Sequence, residues 1–216
     1  MTPFSPDELA SLPVFPLPRV VFFPGSVLPL HLFEPRYRAM VEACIESGSL
    51  AMAVALLQPG FEADYEGRPP IFPVAGAGRI VEHQRNDDGT FDIILQGITR
   101  VRLEESAEEP ERPFRMASAT PMVDTGSVSA PLVSTLISCA TRVASVVRQR
   151  HPTFELGIGP DDETSQIIDT LADRFVAQVE VRQSILEASD LMDRFDHTLG
   201  AITELLASLA SSATPS

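Results

Sequence analysis

The chain of 216 residues contains no lysine: all sixteen of its basic residues are arginine. That absence removes a Walker A lysine, and with it the phosphate grip of a P-loop ATPase. It also removes the base of a serine–lysine protease. Cysteine is nearly as scarce. Cys44 and Cys139 are the only two and lack zinc-ligand spacing, so reduced core thiols are expected. No run approaches the roughly eighteen apolar residues of a membrane helix, and the longest, Leu50 to Leu57, reads as a buried strand. The N-terminus shows neither an early positive charge nor an apolar h-region. A cytoplasmic protein that engages no membrane is the expectation.

Catalytic signatures are missing as well. There is no G-x-S-x-G elbow, since Gly25-Ser26 lacks the second half, and no H-E-x-x-H. Gly76 and Gly78 do not continue into G-x-G-x-x-G, and no helix follows, so a bulge or barrel bend is expected there. His31 and Glu34 are three residues apart, one on a strand and one at a helix start, and need not point together. The acid groups Asp87-Asp88, Glu104-Glu105 and Asp161-Asp162-Glu163 read as solvated charge. No catalytic, metal or cofactor residue is assigned.

The formal net charge is −14. It opposes partners whose own backbone is anionic. Nucleic-acid binding needs a basic face that releases counterions, whereas these arginines are scattered among acids, so no nucleic-acid partner is expected.

The segment from Leu12 to Met40, LPVFPLPRVVFFPGSVLPLHLFEPRYRAM, is the most ordered in pattern. Prolines at 13, 16, 18, 24 and 29 forbid a helix and bias their predecessors toward extended backbone. Leu12 to Leu17 is expected at a sheet edge or strand beginning, with Val27 to Phe33 as the better-paired strand. At Glu34-Pro35 the pattern changes to a helix, with proline in the first turn. Tyr37, Met40, Val41, Cys44 and Ile45 form one buried stripe, and Ser47-Gly48 ends it.

Further strands are expected at Leu50 to Leu57, Ile71 to His83, Phe91 to Leu95, Thr99 to Glu104 and Phe114 to Thr120, with a hairpin at Asn86-Asp87-Asp88-Gly89. After Asp124-Thr125-Gly126-Ser127 the period becomes helical. Helices are expected from Pro131 to Arg150, from Asp161 through Ile167, Ile168, Leu171, Phe175 and Val179, over Val181 to Glu187, and after an Asp190 N-cap through Leu191 to Leu209. The organisation is thus two lobes, residues 1–122 and 123–210, with a disordered tail over 211–216.

LPVFPL, FFPG and LPLHLFEPRYRAM resemble the opening of the N-terminal, substrate-binding domain of the Lon protease family. The likeness continues at Pro73 to Gly76, Gly78-Arg79-Ile80, Asp88-Gly89-Thr90, Gly97 to Arg102, and Arg182 to Glu187 through Arg194. Arginine stands at 182 where that family often has lysine. The resemblance implies an α+β fold: a β-rich, PUA-like pseudo-barrel lobe with one embedded helix, then a C-terminal α-helical bundle lobe. It also implies a Lon-domain protein standing alone, without ATPase or peptidase, that recognises unfolded or degradable polypeptides or a protein partner. The alternatives are an adaptor for a protease complex, or a small-molecule or RNA-binding PUA-like module.

Val20, Val21, Phe22 and Phe23 are the expected peptide contacts. In extended backbone the two rings face opposite ways, so one of them can form an exposed apolar patch. The alternative is that the segment folds onto the second lobe and both rings are core.

Overall fold

The computed structural model describes residues 4–65, 67–107, 109 and 111–212. The chain divides into two compact units, Met1–Met122 and Val123–Ser216. Among the described residues the first unit holds α1 (Pro6–Ala10), β1 (Leu12–Leu17), β2 (Val27–Leu32), α2 (Pro35–Ser47), β3 (Ala51–Leu56), a 3-10 turn at Phe61–Asp64, β4 (Val74–Arg85), β5 (Phe91–Glu105) and β6 (Arg115–Pro121). The strand order is β2-β5-β4-β3-β1-β6, and β6 also pairs with β5. That last pairing closes five strands into a pseudo-barrel and leaves β2 as an outlying strand on β5.

β1 departs from the expected edge position. It runs parallel to β3 over Val14 to Leu17 and antiparallel to β6 over Leu12 to Val14. Each half of the strand therefore has one neighbour, so Pro13 and Pro16 sit where a single ladder is to be satisfied. β5 is one long strand where two short ones were expected. Its register against β4 slips between Ala77 and Gly78, where Gly97 faces Gly78 and Thr99 faces Ala77, so a bulge joins the two halves.

β3 shows how two cores share one strand. Ala51, Ala53 and Ala55 face a cluster with Leu12, Val14, Ala75, Ala77, Val101 and Ala117. Met52 and Val54 face the other way, onto Phe15, Tyr37, Met40, Val41 and Cys44, where α2 covers the sheet. The period of two along the strand produces this division. α2 ends at Gly48, whose φ of 71° is the left-handed cap that glycine tolerates. Short α1 was not anticipated, although Ser5 and Glu8 form a reciprocal capping box at its start.

The second unit packs α3 (Ala130–Val147), α4 (Thr164–Phe175), α5 (Val179–Glu187) and α6 (Leu191–Ser212) around one apolar core that includes Leu136, Val143, Ile168, Leu171, Phe195 and Ile202. α6 touches each of the other three helices. α4 stops at Phe175 because Val176 is extended, so Val179 opens α5 rather than closing α4. Asp190 Oδ1 accepts the backbone N–H groups of Met192 and Asp193 at 2.8 and 3.3 Å, the expected cap of α6. α6 runs through Ser212, which corrects the start of the expected tail. Residues 213–216 lie outside the described residues.

α3 is also a correction. By length and composition it is apolar enough to cross a membrane, carrying Arg142 as its one charge. Its Leu136, Ala140, Val143 and Ala144 stripe is buried in the core of the helical unit. Arg194 of α6 is wholly buried there, donating to Asp169 of α4 and, at 2.8 Å, to Asp124.

Candidate functional site

Contact with other chains was expected at Val20, Val21, Phe22 and Phe23, with burial of both rings as the alternative, and in the Pro18 to Ser26 crossing both rings are buried. Val21, Phe22 and Phe23 are buried, at 3%, 2% and 0% exposure, and Val20 is half-buried. Phe22 joins the core of the first unit under α2, and no ring stands out as an apolar patch. The reason lies in three strand glycines. A Cβ on Gly76 would sit 1.9 Å from the Phe22 carbonyl oxygen, and one on Gly97 would sit 2.1 Å from that of Phe23. At Gly78 an added Cβ would come within 2.9 Å of the Phe22 ring. The crossing segment thus lies directly on the β4–β5 backbone, closer than any side chain permits. Gly25 N–H donates to Gly97 O at 3.0 Å, and Gly97 N–H to Ser26 O at 2.8 Å. Glycines inside strands signal such close approach, and this was the signal available in the sequence.

The exposed apolar surface of this unit lies just beyond the crossing, on β2. The strand alternates: Leu28, Leu30 and Leu32 turn inward, while Val27, Pro29, His31 and then Phe33 turn outward. Val27 is 58% exposed and Phe33 64%, and Val81, at the second β4–β5 register shift, is 49% exposed. The His31 and Phe33 rings stack with centroids 6.3 Å apart. The strand lies where it was expected, but as the outlying strand rather than the better-paired one, because among the described residues it pairs with β5 alone while β1 pairs with both β3 and β6.

β2 is an edge strand. It pairs with β5 from Val27↔Gln96 to Leu32↔Phe91, and its other side has no strand partner among the described residues. Such an edge offers unpaired backbone donors and acceptors to an arriving extended chain. Pro29 withdraws one donor, which edge strands tolerate. Across β2, β5 and β4 runs an open depression of about 480 Å³ floored by Pro29, Leu30, Ile93 and Ile94 and flanked by Glu82 and Asp92.

Hydrogen bonds set the charge on this flank. Asn86 donates to Asp92 Oδ2 at 2.8 Å, and His31 Nδ1 lies 2.7 Å from Asp92 Oδ1. Asn86 first and His31 second hold the Asp92 carboxyl below its ordinary value, so it is anionic at neutral pH. Asp88 is likewise lowered, chiefly by the Thr90 N–H at the hairpin turn. The rim is therefore acidic around an apolar floor.

The remaining expected groups have separate uses. His31 faces Asp92, whereas Glu34 accepts from Arg36 Nε at 3.0 Å and from the Tyr65 hydroxyl at 3.3 Å, so His31 and Glu34 do not converge. Among the described residues no cluster of three or more His, Cys, Asp or Glu is placed to hold a metal. Burial pushes the Cys44 thiol up to about 12, which makes it an inert core group at neutral pH.

Comparison with known proteins bears on this arrangement. Residues 11–204 match the family model described as the ATP-dependent protease La (LON) substrate-binding domain. The chain belongs to that family. It is 25% identical over 195 residues to the Lon protease of Escherichia coli (strain K12), covering 89% of this chain and 24% of that protein. To Lon protease 2 of Myxococcus xanthus it is 26% identical over 187 residues, 85% of this chain and 22% of the relative. It thus spans about a quarter of the length of the curated relatives it matches.

Two solved structures share the fold. A Lon N-terminal domain protein from Xanthomonas campestris superposes with a TM-score of 0.64 at 23% identity, covering 92% of this chain and 98% of that one. The N-terminal domain of a Mycobacterium avium complex Lon protease gives 0.66 at 17% identity, with 90% and 98% covered. The α+β architecture of a Lon domain, a pseudo-barrel followed by a helical bundle, is therefore that of this chain.

Proposed function

We propose that the chain is a non-catalytic recognition module that holds extended segments of unfolded or degradable polypeptide across β2. The observation that carries this reading is the edge strand Val27–Leu32, open on one side and presenting Val27 and Phe33 to solvent. Membership of a family described as substrate-binding supports it. A client strand adds backbone hydrogen bonds to β2, while its alternate side chains meet the apolar floor and the acidic rim. Glu82 and Asp92 favour clients that place arginine or lysine beside apolar residues.

The 216 residues hold no lysine, so neither a Walker A grip nor a serine–lysine dyad can be assembled from them. On this reading the module holds and does not cut, and it acts in the cytoplasm. RNA is disfavoured by the −14 net charge.

Fluorescence anisotropy with labelled, unstructured peptides of basic and aromatic composition tests the reading. Val27→Ser with Phe33→Ser should weaken binding on the order of tenfold, since removal of central apolar anchors has effects of that size. Suppression of aggregation of a denatured client should fall in parallel. An unaltered protein that neither binds such peptides nor suppresses aggregation contradicts the proposal, and a single stoichiometric partner with no peptide binding points to an adaptor instead.

A further inference from the structure

We infer that a second hollow of the β-rich unit, ringed by arginines, captures the free α-carboxylate at the C-terminus of a polypeptide; this deepens the polypeptide-binding reading and rests on it. The hollow has a volume of about 420 Å³ and lies beside the first turn of α2. Arg36, Arg68, Arg112 and Arg115 all line it, four of the sixteen basic residues of a chain with net charge −14. The depression on β2 has Glu82 and Asp92 at its rim, and the hollow between α1 and α2 has Asp7 and Glu8 with Arg112 as its one basic lining residue. Glu109 also lines this hollow and accepts from Arg112 at 3.1 Å, so four guanidiniums stand against one lining carboxylate, and the positive excess at a concave place focuses field lines on an entering anion.

The guanidiniums are held in place. Arg36 lies over the Tyr37 and Tyr65 rings, 4.8 and 5.6 Å from their centroids, and donates to Glu34. Arg115, 8% exposed, donates to Pro69 O at 2.7 Å and to Glu105 Oε2 at 3.2 Å. Arg68 Nη2 donates to the same Glu105 oxygen, also at 3.2 Å. Burial disfavours the charge on Arg115, Glu105 offsets part of that cost, and Arg68 nearby adds to it. An incoming carboxylate offsets what remains of that cost and meets forks whose geometry suits it. The α2 N-terminus adds the favourable end of a helix dipole.

The rest of the wall selects the kind of anion. Pro16, Tyr37, Pro113 and Phe114 supply an apolar side to the same hollow. A bare inorganic anion makes no use of that surface, whereas a chain terminus carries a side chain next to its carboxylate. The terminal residue that fits is apolar, with its carboxylate toward Arg36 and Arg112.

The test uses the full chain and an N-terminally labelled ten-residue peptide ending in leucine, compared as the free acid, as the C-terminal amide, and as the amide with an aspartate one position from the end. Anisotropy should show the acid binding about tenfold tighter than the amide, the scale of a charged hydrogen bond. Arg36→Gln and Arg112→Gln should each abolish the acid–amide difference. Both were chosen over the buried Arg115, whose replacement risks the fold. Equal affinity of acid and amide, full rescue by the internal aspartate, or retention of the difference in both variants overturns the assignment. If acid and amide bind alike while Val27→Ser with Phe33→Ser still weakens both, this inference falls and the polypeptide reading stands. If no peptide binds at all, both fall.

Discussion

Inside the barrel and under the Phe22–Phe23 crossing the packing depends largely on side chains that are small or missing, whereas the core of the helical unit depends mainly on side chains that are large. The barrel interior is lined by Ala51, Ala53, Ala55, Ala75, Ala77, Ala117 and Ala119, and the Phe22–Phe23 crossing rests on Gly76, Gly78 and Gly97. The helical core is built from Leu136, Ile168, Leu171, Phe195 and Ile202, with Arg194 enclosed among them. Backbone-to-backbone approach leaves no room for addition. Interdigitated side chains leave no room for removal. The barrel with its crossing and the helical core should therefore fail under opposite kinds of substitution.

The largest effect is expected at Arg194. Arg194→Ala removes the buried guanidinium that donates to Asp169, 3% exposed, and should cost about 3–5 kcal/mol, as breaking buried ion pairs does. Urea unfolding followed by helical circular dichroism measures it. An effect under about 1 kcal/mol would break the comparison on the helical side.

Next comes Gly76→Ala. With the added Cβ 1.9 Å from a carbonyl oxygen, the crossing has to shift, at a cost of about 2–3 kcal/mol. The same substitution in the other unit sharpens the contrast. Gly200 lies within α6 with nothing inside 4 Å of an added Cβ, so Gly200→Ala should stabilise by up to about 1 kcal/mol. Thermal midpoints of the two variants should move in opposite directions.

The smallest effect concerns the tether of α1. Arg79 donates to both Glu8 oxygens, at 2.6 and 2.9 Å, and these bonds hold the Glu8 carboxyl down at about 2 against an ordinary 4.5. A carboxyl whose value is lowered by folding stabilises the fold above its unfolded value. That contribution fades as pH falls from about 4.5 toward 2. Glu8→Gln should lower the thermal midpoint at neutral pH and flatten its decline across that acid window, which a pH series of melts would show.

The sequence disclosed elements wherever periodicity or a breaker acted locally. β1 and α2 follow the expected bounds closely, and the Asp190 cap stands where its spacing put it. What escaped were consequences of pairing at a distance. β1 took an interior place because its two halves face different neighbours, and β5 became one strand because a bulge bridges its glycine. Which of the two readings of Val20 to Phe23 holds was hidden for the same reason. A run of Val-Val-Phe-Phe has a hydrophobicity that demands burial, but only the glycines on two other strands show what buries it. The outward face of β2 was readable in principle from the alternation of Val27, Pro29, His31 and Phe33. The arginine hollow was not, since Arg36, Arg68 and Arg112 to Arg115 meet only through the fold.

Amide hydrogen exchange on the full chain, with and without a saturating unfolded client peptide, tests the central claim most directly. Strand addition at the open edge predicts new protection concentrated in Val27 to Leu32, with Val21 to Phe23 unchanged because they are already core. Protection that spares β2 and gathers instead on the helical unit would contradict the account.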